Sequence, residues 1–415
     1  MIEQIFNDPS RIQSLRYGPD GPLLEKFAKE LCHGGYGEIT ARRHIRAAGH
    51  FLCWSELEGI PISSLSQKFL EHFERHLDRC QCPGYGSRNR RIVLQGARLF
   101  SKYLRNGGIS TAPVMESTSQ DPVLVTEFCL WMRQQCGTGD RTLYNYNHFI
   151  RQLLKRLGED PAKFDAQSLR QFLLEKSHQS GWATVKNCTT ALRMFLRFLI
   201  AEGKCAPGLD AAIPVLAHWR LSSLPRYIQP EEVERIIACC NLKSPVGRRN
   251  RAIIILLARM GLRAGDIVNL SLEDIDWEGA WVYVSGKGRR QTRLPLTQEV
   301  GDAIIDYIQY GRPQTETDVL FIRSRAPFVA FSSPVAVSNI VARAMRRAGV
   351  TCRVRGAAHV LRHSVATSML RQGASLQDIA SILRHRSIET TEIYAKADVA
   401  TLRQIAQPWP EVQPC

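Results

Sequence analysis

The chain has 415 residues and a formal net charge of +16, with 44% hydrophobic and 23% charged residues. That length argues for two or three domains, and the composition for an ordinary globular protein. The positive excess favours a polyanionic partner, most simply nucleic acid, because basic side chains displace counterions from phosphates. A membrane is disfavoured, since the longest strongly apolar run, Ala252 to Ala258, falls far short of the ~20 residues that span a bilayer. The opening Met-Ile-Glu-Gln-Ile-Phe-Asn-Asp lacks the basic and apolar regions of a signal peptide, so twelve cysteines are expected as reduced thiols in the cytoplasm.

Residues 1–20 read as an irregular lead-in. From Leu23 the pattern is helical: Leu23, Leu24, Phe27 and Leu31 share a face, and Gly34-Gly35 ends the run. A second helix is expected from Thr40, burying Ile45, Ala48, Phe51, Leu52 and Leu57. A third spans about Leu65 to Leu77, and a fourth Asn89 to Leu104, stopped at Asn106-Gly107-Gly108. Residues 109–122 lack periodicity and read as a linker.

The pattern then recurs. Leu124, Val125 and Phe128 match Leu23, Leu24 and Phe27. Thr142 to Leu157 parallels Thr40 to Leu57, and Leu169, Phe172 and Leu173 mark a third helix. Leu192, Phe195, Phe198 and Leu199 mirror Leu99, Phe100, Tyr103 and Leu104, again followed by a glycine, Gly203. The offset is 102 at Thr40/Thr142 and 95 at Phe100/Phe195, so the first copy carries a longer loop near Cys80 to Ser87. This is a weak duplication of a four-helix unit rather than a solenoid. Residues 204–226, with three prolines, read as a second linker.

Basic clusters accompany both units: Arg42, Arg43 and Arg46; Arg88, Arg90 and Arg91; Arg141, Arg151, Lys155 and Arg156. Each is a phosphate-contact candidate or a solvated helix face. Trp182, Thr184 and Lys186, placed just before the last helix of the second unit, are further candidates for DNA contact or packing. His72, His76, Cys80 and Cys82 include zinc-ligating residue types, and the first three fit one helix face. Cys-x-Cys is not the usual knuckle spacing, so the preferred reading is a helix end followed by a loop, with no metal.

Beyond residue 226 the chain is mixed α and β. Pro230-Glu231-Glu232 opens a helix. Asn250 to Leu262 is a buried helix. Trp281 to Val284 and Gln291 to Pro295 form a hairpin about Gly286-Lys287-Gly288, with Val319 to Phe321 as a third strand. Helices follow at Pro334 to Ala348, His359 to Gln372 and Leu376 to Leu383, and another begins at Thr390.

This segment carries Arg263, Lys287, His359, Arg362, His363, His385 and Tyr394. Phosphoryl transfer is mostly positioning and charge stabilisation. Two guanidiniums can clamp a phosphate's non-bridging oxygens. A lysine on a hairpin tip can protonate a leaving oxygen, and a histidine can take a proton from a phenol. A phenol, with a pKa near ~10 in water, becomes a competent nucleophile in a strongly cationic site. No carboxylate cluster marks a magnesium site, which fits a metal-free route. Each residue alone has an ordinary structural explanation; their order together is restrictive.

Gly261-Leu-Arg263-Ala-Gly-Asp266, Gly286-Lys287-Gly288, His359-Val-Leu-Arg362-His363, Leu383-Arg384-His385 and Tyr394 together resemble the tyrosine recombinase (phage integrase) family over about residues 226–400. The unit at 122–204 looks like the family's core-binding domain. The resemblance implies a multi-domain chain: all-α N-terminal helical units of SAM-like core-binding type, then a mixed α+β, mainly helical catalytic domain. Its expected divisions are 1–115, 122–205 and 226–415. It implies a site-specific recombinase in which Tyr394 attacks the scissile phosphate to give a 3′-phosphotyrosyl enzyme and a free 5′-hydroxyl. Arg263 and Arg362 would hold the phosphate, Lys287 would be the general acid, His359 would assist at the tyrosine, and His385 would hydrogen-bond the phosphate.

No cofactor, metal or ATP is implied. The implied partner is double-stranded DNA with specific recombination sites, bound in the nucleoid by a tetramer on two sites, with room for accessory proteins. Two departures stand out: Asp266 replaces the family's usual glutamate, and the N-terminal unit is an addition that either binds DNA or mediates protein contacts. The tail 399–415 is expected to dock on a neighbouring subunit. A type IB topoisomerase-like nicking-closing enzyme and a non-catalytic DNA-binding protein remain the rival readings.

Overall fold

The computed structural model describes the chain apart from residues 18–19, 65–66, 86–88, 111–121, 217–225, 286–290, 352–355, 386 and 398–415, and the side chains of 67 and 68. It divides into two compact units. One comprises Met1–Ile60, His72–Asn106 and Arg220–Cys415; the other comprises Pro61–Glu71 and Gly107–Trp219.

The stretch expected to be irregular is helical: α1 (Ile2–Ile5) and α2 (Pro9–Arg16) occupy it. The local chemistry explains this. The Asp8 carboxylate accepts the Ser10 and Arg11 N–H groups, and Pro9 fills the first helical position, where no N–H is needed. Ile2, Ile5 and Leu15 are buried. Next come α3 (Gly21–His33), α4 (Glu38–Leu57), a 3-10 turn at Ile62–Ser64, α5 (Gln67–His76) and α6 (Arg90–Asn106). Phe27, Ile45, Phe51, Phe73, Phe100 and Leu104 are all buried. Leu57, expected on the buried stripe, is 66% exposed. It lies five residues past Leu52, about 140° round the helix.

The second unit contains α7 (Val123–Cys136), α8 (Asp140–Leu157), a 3-10 turn at Pro161–Lys163, α9 (Ala166–Gln179), α10 (Trp182–Ala201) and a 3-10 turn at Leu209–Ala212. Gly137 ends α7 in the left-handed conformation (φ 57°), which glycine adopts without a Cβ penalty. Asp165 caps α9 by accepting from Gln167 and Ser168. The core is built on Phe128, Ile150, Leu153, Leu192, Phe195 and Leu199. Phe128 meets Phe195 edge-on at 5.5 Å, as Phe27 meets Phe100 at 5.0 Å at the equivalent positions of the N-terminal helices.

Two boundaries differ from expectation. Trp182 opens α10 rather than preceding it; it is 39% exposed, with Lys186 Nζ 5.1 Å from its ring centroid. The first part of the expected second linker belongs to this unit's core. Ala212 and Ile213 are buried there, and Arg193 donates to the Ile213 and Pro214 carbonyls at 3.1 and 3.3 Å. Most of the first linker (111–121) and the rest of the second (217–225) lie outside the described residues.

The remaining segment begins with α11 (Pro230–Ala238), whose first turn is closed by Glu232 reaching back to the Gln229 N–H. The central helix α12 (Pro245–Arg259) starts five residues earlier than expected, because Pro245 follows Ser244, whose hydroxyl accepts the Gly247 N–H at 3.1 Å. Ile253 to Leu257 are fully buried, and α12 packs against α14 (Gln298–Tyr310) and α16 (Ala357–Arg371). Short α13 (Ala264–Asn269) lies against α15 (Pro334–Arg347).

The sheet has β1 (Ile275–Asp276), β2 (Trp281–Ser285) and β3 (Gln291–Pro295), antiparallel in that order, with Ile275 opposite Val282 and Tyr283 opposite Arg293. The third strand is therefore β1, not Val319 to Phe321; Val319 makes only an isolated bridge with Ser271. Helix α17 (Leu376–Ile382) is capped by Ser375, and 3-10 turns at Ile388–Thr390 and Glu392–Ala397 replace the expected last helix.

Candidate active site

The site is assembled where α12, α16, α17 and the final 3-10 turn meet. Gly261 follows α12 at φ 60°, which reverses the chain and exposes its carbonyl. Arg362 in α16 is 3% exposed, and its guanidinium donates to the carbonyls of Gly261 and Leu383. Arg263 Nη2 donates to the same Leu383 carbonyl at 3.4 Å and to the Arg384 carbonyl at 2.8 Å. Backbone carbonyls at the end of α17 thus aim both guanidiniums at one place. Burial lowers the Arg362 pKa to about 10, with the Arg263 charge adding to the effect.

Asp266 in α13 braces this arrangement. Its carboxylate accepts the Arg263 backbone N–H at 2.7 Å and pairs with the Arg384 guanidinium, both side chains being nearly buried. Arg384 is a non-glycine residue at φ 53°, a conformation that the surrounding structure must hold in place.

Tyr394 is 2% exposed and packs with Ala366, Ile379 and Leu383. Its hydroxyl lies 2.8 Å from Nδ1 of His363. The His363 ring meets the His359 ring at 4.4 Å, and His385 stacks parallel to Tyr394 at 6.5 Å. His385 Nδ1 is 2.7 Å from the Thr391 hydroxyl, which fixes its ring. Burial pushes the Tyr394 phenol up to about 12, against the opposing pull of Arg362. Desolvation, then neighbouring positive groups, pushes His363 and His385 down to about 4, and lowers His359 in the same way.

A phenol near 12 beside an imidazole near 4 keeps its proton. At Tyr394 desolvation outweighs the pull of the Arg362 charge expected to activate it. Of the sequence-derived set, Arg263, Arg362, His359, His385 and Tyr394 converge here. Lys287 lies outside the described residues, between β2 and β3. The group in hydrogen-bond contact with the tyrosine oxygen is His363, to which neither the spacing nor the family resemblance assigns a role. Its place one residue after Arg362 is a signal only if the helix face toward Tyr394 is known. The tail from residue 399 also lies outside the described residues.

The profile of the phage integrase family matches residues 226–401, the segment that holds this site. y4rA of Sinorhizobium fredii, which carries an integrase/recombinase name, is 35% identical over 402 residues, covering 94% of this chain and 96% of that protein. Tyrosine recombinase XerC of Anoxybacillus flavithermus is 27% identical over 291 residues, covering 67% of this chain and 94% of the relative. The structure of XerH site-specific recombinase bound to a palindromic difH substrate shares the fold, with a TM-score of 0.53 at 19% identity, covering 90% of this chain and 97% of that one. Similarity running the length of both chains, with the family match falling on the segment where two arginines, three histidines and a tyrosine converge, places this enzyme among the tyrosine recombinases of the phage integrase family.

Proposed function

We propose that this enzyme cleaves and rejoins double-stranded DNA at specific sites through a 3′-phosphotyrosyl bond to Tyr394. The observation that carries the reading is the Tyr394 hydroxyl held 2.8 Å from His363, beside two guanidiniums that share the Leu383 carbonyl. The Tyr394 oxygen attacks phosphorus and loses its proton to the imidazole pair His363 and His359. The phosphorus–5′-oxygen bond breaks, and the leaving oxygen takes a proton from Lys287. Arg263, Arg362 and His385 stabilise the charge on the non-bridging oxygens. The phosphotyrosyl ester retains the energy of the broken bond, so religation by a 5′-hydroxyl needs no ATP, and the guanidiniums supply the positive charge a metal would otherwise bring.

DNA is the proposed partner because the chain's net charge is +16 and a fold relative was solved bound to its DNA substrate. Exchange between two sites requires four active subunits, so a tetramer on DNA is proposed, with the unit at 122–205 as a DNA-binding part alongside the catalytic chemistry of 226–415 and the helices before residue 115 as a further DNA- or protein-binding part. Covalent trapping tests the reading. The protein is incubated with the DNA flanking its gene, denatured, and the linked DNA recovered. Adducts at one repeated sequence, lost in Tyr394→Phe, are expected. Adducts without sequence preference would instead indicate a nicking-closing enzyme. Tight binding with no adduct, even on a nicked suicide substrate, would overturn the catalytic reading.

A further inference from the structure

The N-terminal helices hold a second cluster of reactive side chains that the recombination chemistry does not use. His50 comes from α4, His76 is the last residue of α5, and Cys80 and Cys82 lie in the loop that follows. One ligand atom from each lies within 4.8 Å of all the others. His50 Nε2 is 3.1 Å from Cys80 Sγ, and His76 Nε2 is 3.3 Å from Cys82 Sγ.

We propose that His50, His76, Cys80 and Cys82 form a structural zinc site that staples α4, the end of α5 and the loop beyond it. Zinc takes two imidazoles and two thiolates tetrahedrally, with Zn–S near ~2.3 Å and Zn–N near ~2.05 Å. Those bond lengths give a nitrogen–sulfur edge of about 3.6 Å, so both observed edges are within about 0.5 Å of it. The donor set is all nitrogen and sulfur, which selects zinc over magnesium or calcium. Four protein ligands leave no open position, which marks a structural site rather than a catalytic one.

The surroundings fix the ligands. The His50 ring stacks on Tyr85 at 4.7 Å and meets Phe73 edge-on at 5.1 Å. His76 packs on Phe73 and Trp54. His50 and Cys82 are each 5% exposed, and Cys80 Sγ lies 3.7 Å from the Tyr85 carbonyl. Such partners orient a metal's ligands. Binding releases two thiol protons to solvent, and the two thiolates neutralise the ion, so no net charge is left in a largely buried place. The loop from residue 77 to 89 otherwise has little apolar burial to hold it, Cys82 being its only fully buried apolar residue among those described.

By spacing alone His72 falls with His76, Cys80 and Cys82, and Cys-x-Cys favours a metal-free loop. The structure replaces His72 by His50, since α5 ends at His76 and the chain turns the cysteines toward α4.

The test needs neither DNA nor activity. Full-length protein, purified under reducing conditions without chelator, is assayed for metal by mass spectrometry. About one zinc per chain is expected, falling to background in the Cys80→Ser/Cys82→Ser double variant and retained in Cys239→Ser/Cys240→Ser, a cysteine pair elsewhere in the chain. Because the first variant can lose its fold, wild-type protein is also stripped and loaded with cobalt. Intense visible bands with a sulfur-to-metal charge-transfer band support the tetrahedral site. A weak octahedral spectrum, or zinc-free protein whose melting temperature added zinc does not raise, overturns it.

Discussion

The Tyr394 hydroxyl and Nδ1 of His363 lie 2.8 Å apart, with the His385 ring stacked parallel to the tyrosine and Ala366, Ile379 and Leu383 packed about it. The nucleophile is therefore docked against an imidazole, and burial favours its protonated form. A bound phosphate would not lower the phenol's pKa, since it brings negative charge. What changes on the reaction path is the charge passing to the phosphoryl oxygens, where Arg263 and Arg362 can meet it.

His363→Ala should slow covalent cleavage of a nicked suicide substrate by about 10²-fold, the low end of what general acid–base groups contribute. Duplex affinity should stay within about twofold, because His363 faces Tyr394 rather than the duplex proposed here. A comparable loss in His359→Ala is expected, since the two rings touch at 4.4 Å. If His363→Ala cleaves at the parental rate, the contact is packing alone.

Asp266→Asn should destabilise the protein by about 3 to 5 kcal/mol, because it strands the nearly buried Arg384 guanidinium without its counter-ion. Asp266→Glu keeps the charge and should recover much of that loss. Thermal unfolding of both variants checks the ordering; equal melting temperatures for Asn, Glu and parent would mean that the pair is not stabilising.

Gly261→Ala should cost about 1 to 3 kcal/mol and reduce cleavage. A Cβ there would stand 2.6 Å from Leu383 Cδ2, and the residue's φ of 60° disfavours any side chain. The carbonyl that seats Arg362 would move with it. Comparing Gly261→Ala with Gly261→Ala/Leu383→Ala separates clash from backbone strain: relief in the double variant assigns the loss to the clash.

Acid should destabilise the fold in a definite window. His363 and His385 titrate near 4 in the folded protein and near 6.5 when unfolded. Between those values the unfolded chain binds more protons, so stability is full above about 6.5 and is lost as pH falls toward 4. Calorimetry from pH 8 to 4 should show the melting temperature falling below about 6.5, with a shallower fall in His385→Asn. An unchanged slope in that variant would remove His385 from the account.

Much of the fold was legible in the sequence because helices declare themselves locally. Phe27, Phe100, Phe128 and Phe195 recur at helical spacing, and each is buried. The hairpin between Trp281 and Pro295 was readable from alternation around a glycine turn. The misses were of two kinds. Asp8-Pro9 is the capping signal of the short α2, and α1 spans only four residues without a side-chain cap, too few to show a helical period. The Val319 stretch reads as a strand by composition, yet its pairing with Leu270 to Leu272 is a single antiparallel bridge, too short to count as a strand of the sheet.

The sequence by itself determined the charge, the helical periods, the family, and which residue types are available for phosphoryl chemistry. Only the tertiary structure decided which side chains meet. It put His363 against Tyr394, Asp266 against Arg384, and His50 rather than His72 beside Cys80. Periodicity reports the face on which a residue sits within one element. Contacts between elements depend on how α4 meets the loop beyond α5 and how α16 and the last turn pack on each other, and those are settled by the burial of whole faces rather than by spacing along the chain.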